Sequence, residues 1–133
     1  MEETEPKCNV DVSFSNSLNK VGIGLCIRDE EGRFVLAKTE WFSPIVYVDL
    51  GEAMGLLTAM QWAKDLHLLN MDSKTVVDSV YGGSNGVSNL KFIRRQAKGA
   101  AHSLAKEAPS NPSFHIYSNI PSCISDILFN EMQ

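Results

Sequence analysis

The stretch Lys7-Cys8-Asn9-Val10-Asp11-Val12-Ser13-Phe14-Ser15 sets Cys8, Val10, Val12 and Phe14 against Asn9, Asp11, Ser13 and Ser15 in strict alternation. A period of two is that of a β-strand with one buried face. Asn16-Ser17-Leu18-Asn19-Lys20 supplies a turn, and residues 21–28 (VGIGLCIR) read as a second strand, in which Gly22 and Gly24 imply close packing or a bulge. Asp29-Glu30-Glu31-Gly32 is a hairpin turn before a third strand over 33–42, which ends near Ser43-Pro44. Three strands on short turns confine the chain to folds built on an antiparallel meander. Asp11 is the odd member. Asp is depleted in strands, so it either faces solvent or is held there for chemistry.

After the meander the period changes. Asp49 suits the N-cap of a helix over 49–66, and Asp49-x-x-Glu52 has capping-box spacing. Glu52, Leu56, Ala59 and Ala63 share one face, and Ala53, Leu57 and Met60 fill the next, so the helix is expected to be apolar over most of its circumference and to lie on the sheet. Leu66-His67-Leu68-Leu69-Asn70-Met71 fits either a continued helix or a short strand. Ser73 caps a short helix with Val76, Val77 and Val80 inward, stopping at Gly82-Gly83. Residues 82–89 form a polar linker that lacks the Lys of a phosphate-binding loop. A strand over 90–96 ends in Arg94 and Arg95, and an Ala-rich helix over 97–108 stops at Pro109. Phe114–Tyr117 reads as an edge strand, and Ser122 as the cap of a short amphipathic helix carrying Ile124, Ile127 and Leu128. The order β-β-β-α-(β)-α-β-α with a tail specifies an α/β or α+β domain around a mixed sheet.

Length and composition bound the possibilities. A chain of 133 residues, 44% hydrophobic, builds one core, expected over 7–108, with a disordered leader at 1–6 and a C-terminal extension at 109–133. The net charge of −4 gives no general attraction to nucleic acid or to anionic membranes, so contact with nucleic acid has to be local or metal-assisted. No apolar run is long enough to span a bilayer, and Met1-Glu2-Glu3-Thr4-Glu5 is not a signal peptide. Cys8, Cys26 and Cys123, odd in number and in apolar settings, read as buried reduced thiols. His67, His102 and His115 have no zinc-ligand spacing with them. An intracellular protein of nucleus or cytoplasm, not a secreted one, is expected.

The candidate chemistry rests on carboxylates. A strand centre (Asp11), a helix start (Glu52) and a strand-to-helix junction (Asp72) can meet at one edge of a sheet. Carboxylates brought together repel unless a cation neutralises them, and hard oxygen ligands suit Mg²⁺ or Mn²⁺. Two such ions about 4 Å apart activate a water and stabilise the leaving oxygen of a phosphodiester. Each residue also has a plainer reading: Asp11 on the solvent face, Glu52 in its capping box, Asp72 in a turn, His102 packed beside an apolar stripe, Arg94 and Arg95 as strand-end charges. Asp78 competes with Asp72 for the third position, because both precede Ser.

Five segments in order carry a resemblance: Val10-Asp11-Val12-Ser13, residues 22–29 (GIGLCIRD), Gly51-Glu52-Ala53, Asp72-Ser73-Lys74 and Ala101-His102-Ser103-Leu104-Ala105-Lys106. Over residues 7–108 the chain resembles the plant ribonuclease H type-1 domains of retroelement reverse-transcriptase type, and its tail over 120–133 is similar to extensions in that group. The resemblance implies a ribonuclease H-like fold and Mg²⁺-dependent endonucleolytic cleavage of the RNA strand of RNA–DNA hybrids. It places Asp11, Glu52 and Asp72 as the first three acids and metal ligands, and His102 at the position of the fourth. Neutral imidazole is a poor Mg²⁺ ligand, though it can move protons or position a water. The Asn that often precedes this last motif is Lys98 here. Two further departures are internal: the strand before the third acid is reduced to residues 68–71, and a helix before the last strand is replaced by 82–89. Residues 68–71 are therefore expected to form a short substitute strand, at the cost of the last turn of the main helix, and to aim Asp72 at Asp11. The alternative function is that of a catalytically inactive, truncated relative that at most binds nucleic acid weakly.

Overall fold

The computed structural model describes residues 6–69, 90–94 and 99–127. The meander is present as β1 (Lys7–Ser15), β2 (Lys20–Arg28) and β3 (Phe34–Phe42), paired antiparallel in sequence. Its turns follow from their residues. Asn19 takes a positive φ of 55° and accepts a bond from the Ile45 amide at 3.1 Å. Gly32 has φ 84°, and Asp29 accepts the amides of Glu31 and Arg33 at 2.9 and 2.8 Å, closing the second turn.

α1 (Val48–Leu69) follows. Its first backbone bond runs from the Gly51 amide to the Tyr47 carbonyl at 2.8 Å, so Tyr47 is the N-cap. Asp49 sits inside the first turn, where an acid favours the helix dipole, and the expected Asp49–Glu52 capping box is not formed. The buried stripe is Gly51, Gly55, Ala59, Trp62, Ala63 and Leu66. It is narrower than expected: Ala53, Leu57 and Met60 are exposed, the last two at 66% and 50%. The glycines explain this, because a Cβ at Gly51 or Gly55 would come within 2.6 Å of Phe14 or Val12. The helix comes down on β1 along its smallest residues, and the neighbouring face turns away.

The helix continues through Leu68 and Leu69, so these two residues are not part of the expected substitute strand over 68–71. No Gly or Pro interrupts the segment, and Leu66, 3% exposed, holds the turn before them on the sheet. The place beside β1 is taken instead by β4 (Lys91–Arg94), parallel to it with Lys7 opposite Lys91 and Val10 opposite Arg94. Asn70, Met71, Asp72, Asp78, the helix expected from Ser73 and the linker 82–89 lie outside the described residues, as do Arg95 and Lys98.

α2 (Ala100–Glu107) covers the opposite face of the sheet, starting at Gly99 and passing into a 3₁₀ turn, Ala108–Ser110, at Pro109. Here the strand glycines act through close packing: a side chain on Gly22 would run into the carbonyl of Ala105, and one on Gly24 into that of Ala101. Ala100, Ala101, Leu104 and Ala105 form the buried side of α2. Two described C-terminal segments pack on this sheet and its core. β5 (Phe114–Tyr117) adds antiparallel to β3, giving the mixed sheet order β4-β1-β2-β3-β5. A 3₁₀ turn at Ser122–Ile124, capped by Pro121 rather than Ser122, seats fully buried Ile124 against Cys26, Ala37 and Leu104. Asn111 ties this end to β3, donating from Nδ2 to the buried Thr39 hydroxyl and accepting from Trp41 Nε1, both at 2.8 Å.

Two cores result, one under α1 around Ile23, Leu25, Ile27 and Trp62, the other under α2. Cys8, Cys26 and Cys123 are free thiols, the first two buried and the third half-buried. Among the described residues no helix is long and apolar enough to cross a membrane.

Candidate active site

Asp11 pairs with Gly24 on β2, and it is the first residue of β1 beyond the described ladder with β4, which ends at Arg94 opposite Val10. The alternation of β1 sends Val10 and Val12 toward α1 and leaves Asp11 for the face under α2. Its side chain is 12% exposed and is held at both oxygens. Oδ1 accepts the Val12 amide at 2.9 Å, and Oδ2 lies 2.8 Å from Nδ1 of His102. An ionised carboxylate only accepts, so Nδ1 carries the proton and Nε2 is left to accept or release another. His102 stands in the first turn of α2, its side chain 35% exposed.

Glu52 reaches the same region from α1. Gly51, packed on Phe14, brings the start of the helix down onto β1. From there Glu52 Oε1 lies 3.0 Å from Nη2 of Arg94. The carboxylate is 22% exposed and the guanidinium 52%, so the pair contributes at most about 1 kcal/mol to stability. Its consequence is positional: Val10, Asp11, Val12, Glu52 and Arg94 line one shallow depression that opens to solvent.

Of the residues singled out in the sequence, Asp11 and Glu52 line one depression, and His102 is bonded to Asp11. Asp72 and its competitor Asp78 lie outside the described residues. Among the described residues no three His, Cys, Asp or Glu side chains gather closely enough to hold a metal ion. Arg94, read from the sequence as a strand-end charge, lines the depression beside the two acids. Its signal is its place at the end of the strand that runs parallel to the one carrying Asp11.

Two hard carboxylates with a cation and an imidazole around them suit a reaction in which charge and protons shift at an oxygen-rich substrate. Residues 9–89, more than half the chain, match the family described as reverse transcriptase-like, a ribonuclease H-like domain. The matched stretch takes in Asp11 and Glu52 and stops before Arg94 and His102. No curated protein and no solved structure matches the chain.

Proposed function

The chain belongs to the reverse transcriptase-like family of ribonuclease H-like domains, and on that premise we propose that it hydrolyses phosphodiester bonds in the RNA strand of RNA–DNA hybrids. The observation that carries this reading is the meeting of Asp11 and Glu52 at one depression, with His102 bonded to Asp11.

The donor set fits a hard divalent cation. Mg²⁺ is commonly held by one or two carboxylates, with waters and substrate phosphate completing its shell. Asp11 and Glu52 would hold it, with Mn²⁺ as the closest substitute. Each oxygen of Asp11 accepts one bond from the protein and keeps a lone pair for a further partner. When bound, the ion would make a water nucleophilic and offset charge on the leaving oxygen. Asp72, or Asp78 in its place, is proposed as the third acid.

The other tasks fall to the protein. Asp11 fixes the tautomer and orientation of His102, and its Nε2 then takes a proton from the attacking water or returns one to the leaving oxygen. The chain is acidic, with a net charge of −4, so a hybrid would be met by local cations, with Lys91 and Arg94 exposed on β4. The test is cleavage of a labelled hybrid with and without Mg²⁺, expected in wild type and lost in Asp11→Asn and Glu52→Gln.

A second reading has one observation in its favour. Arg94 holds Glu52, and no third donor joins the two acids among the described residues, as suits a non-catalytic relative that binds nucleic acid weakly. That protein would show no cleavage at saturating metal, with or without the substitutions.

A further inference from the structure

Arg94 stands where a cation entering the site needs room. The parallel register puts it opposite Val10, one residue before Asp11, and its guanidinium lies 3.0 Å from Glu52 while lining the depression that Asp11 shares. A cation that bound Glu52 would have to take the place the guanidinium now holds, because Mg²⁺ and Mn²⁺ dehydrate reluctantly and bring several waters with them. A guanidinium and a dication on the same carboxylate also repel at a separation well inside the Debye length. We propose that Arg94 is a built-in competitor of the divalent ion, so that Glu52 is held either by the guanidinium or by metal and never by both. This rests on the metal reading given above, and it adds a device to it: the metal-free protein keeps its acid paired with an internal cation, and metal has to displace that cation before the site fills. Because Arg94 is half exposed, its departure from Glu52 asks for no rearrangement of the core.

The experiment is Mn²⁺ binding to the full chain, followed by the electron paramagnetic resonance signal of the free ion. Removal of the competing charge in Arg94→Gln is expected to tighten binding by about tenfold, from the repulsion of close like charges. The gain is expected to vanish in Arg94→Gln combined with Glu52→Gln, an outcome that a merely structural role for Arg94 would not produce. Arg94→Ala is the second variant and is expected to behave as Arg94→Gln does. Equal or weaker binding in both single variants overturns the competition and leaves the metal reading standing. Absence of Mn²⁺ binding in wild type and variants alike overturns both.

Discussion

Nδ1 of His102 lies 2.8 Å from Oδ2 of Asp11, although 91 residues of chain separate them. The contact depends on an absence of side chain. Gly24 is the β2 partner of Asp11, and the backbone of α2 at Ala101 and Ala105 rests directly on it. With that strip bare, the helix approaches closely enough for His102, next in sequence to Ala101, to reach the acid.

Gly24→Ala is therefore expected to lift α2 from the sheet. The added methyl would meet backbone rather than the end of a flexible side chain, so the cost is that of overpacking, about 2–3 kcal/mol. Urea denaturation checks it, and a change under about 0.5 kcal/mol, the range of ordinary surface substitutions, would contradict the packing account.

His102→Gln tests the imidazole itself. A group that moves a proton in the rate-limiting step contributes typically about 10²–10⁴-fold, so a loss of at least about 10² in kcat is expected, with Mn²⁺ affinity unchanged. An unaltered kcat would reduce His102 to a support for Asp11.

Much of the frame was legible because its signals are local. Lys7–Ser15 carries period-two alternation and Phe114–Tyr117 reads as an edge strand, and the observed strands have those bounds. β2 and β3 differ from expectation by one residue each, since Asn19 and Gly32 mark the turns. The close packing implied by Gly22 and Gly24 is present as the seat of α2. What the sequence did not reveal is non-local. Leu68 and Leu69 suit helix and strand alike, and only the register of Trp62, Ala63 and Leu66 on the sheet carries the helix onward. The strand beside β1 comes from Lys91–Arg94, a parallel pairing announced by no turn. The same pairing places Arg94 against Glu52, 42 residues away, and spacing along the chain carries no trace of it. Of the candidate site, Asp11, Glu52 and His102 were recognisable as residues, while the partners that hold them were not.

Cys8 gives a pH signature independent of the site. It is fully buried between β1 and α1, and burial pushes its thiol far above the ordinary 9.0, with Cys26 adding to the shift. The folded state thus keeps a proton that the unfolded chain loses. The stability this residue contributes is intact below pH 9.0 and declines above it, by up to about 1.4 kcal/mol per pH unit. Chemical denaturation as a function of pH checks it: Cys8→Ala should show a shallower alkaline decline than wild type, and identical slopes would contradict the assignment.

The central claim is that Asp11 and Glu52 still serve a divalent cation in phosphodiester hydrolysis. The most direct measurement is single-turnover cleavage of an end-labelled RNA–DNA hybrid at saturating Mn²⁺, comparing wild type with Asp11→Asn, a substitution close in shape that removes the charge. The account predicts metal-dependent cleavage confined to the RNA strand, with products free of 2′,3′-cyclic phosphate because water is the nucleophile, and a loss of at least about 10³-fold in the variant, the scale of a lost preorganised charge. Equal cleavage by the two proteins, or none by wild type at any metal concentration, would contradict it.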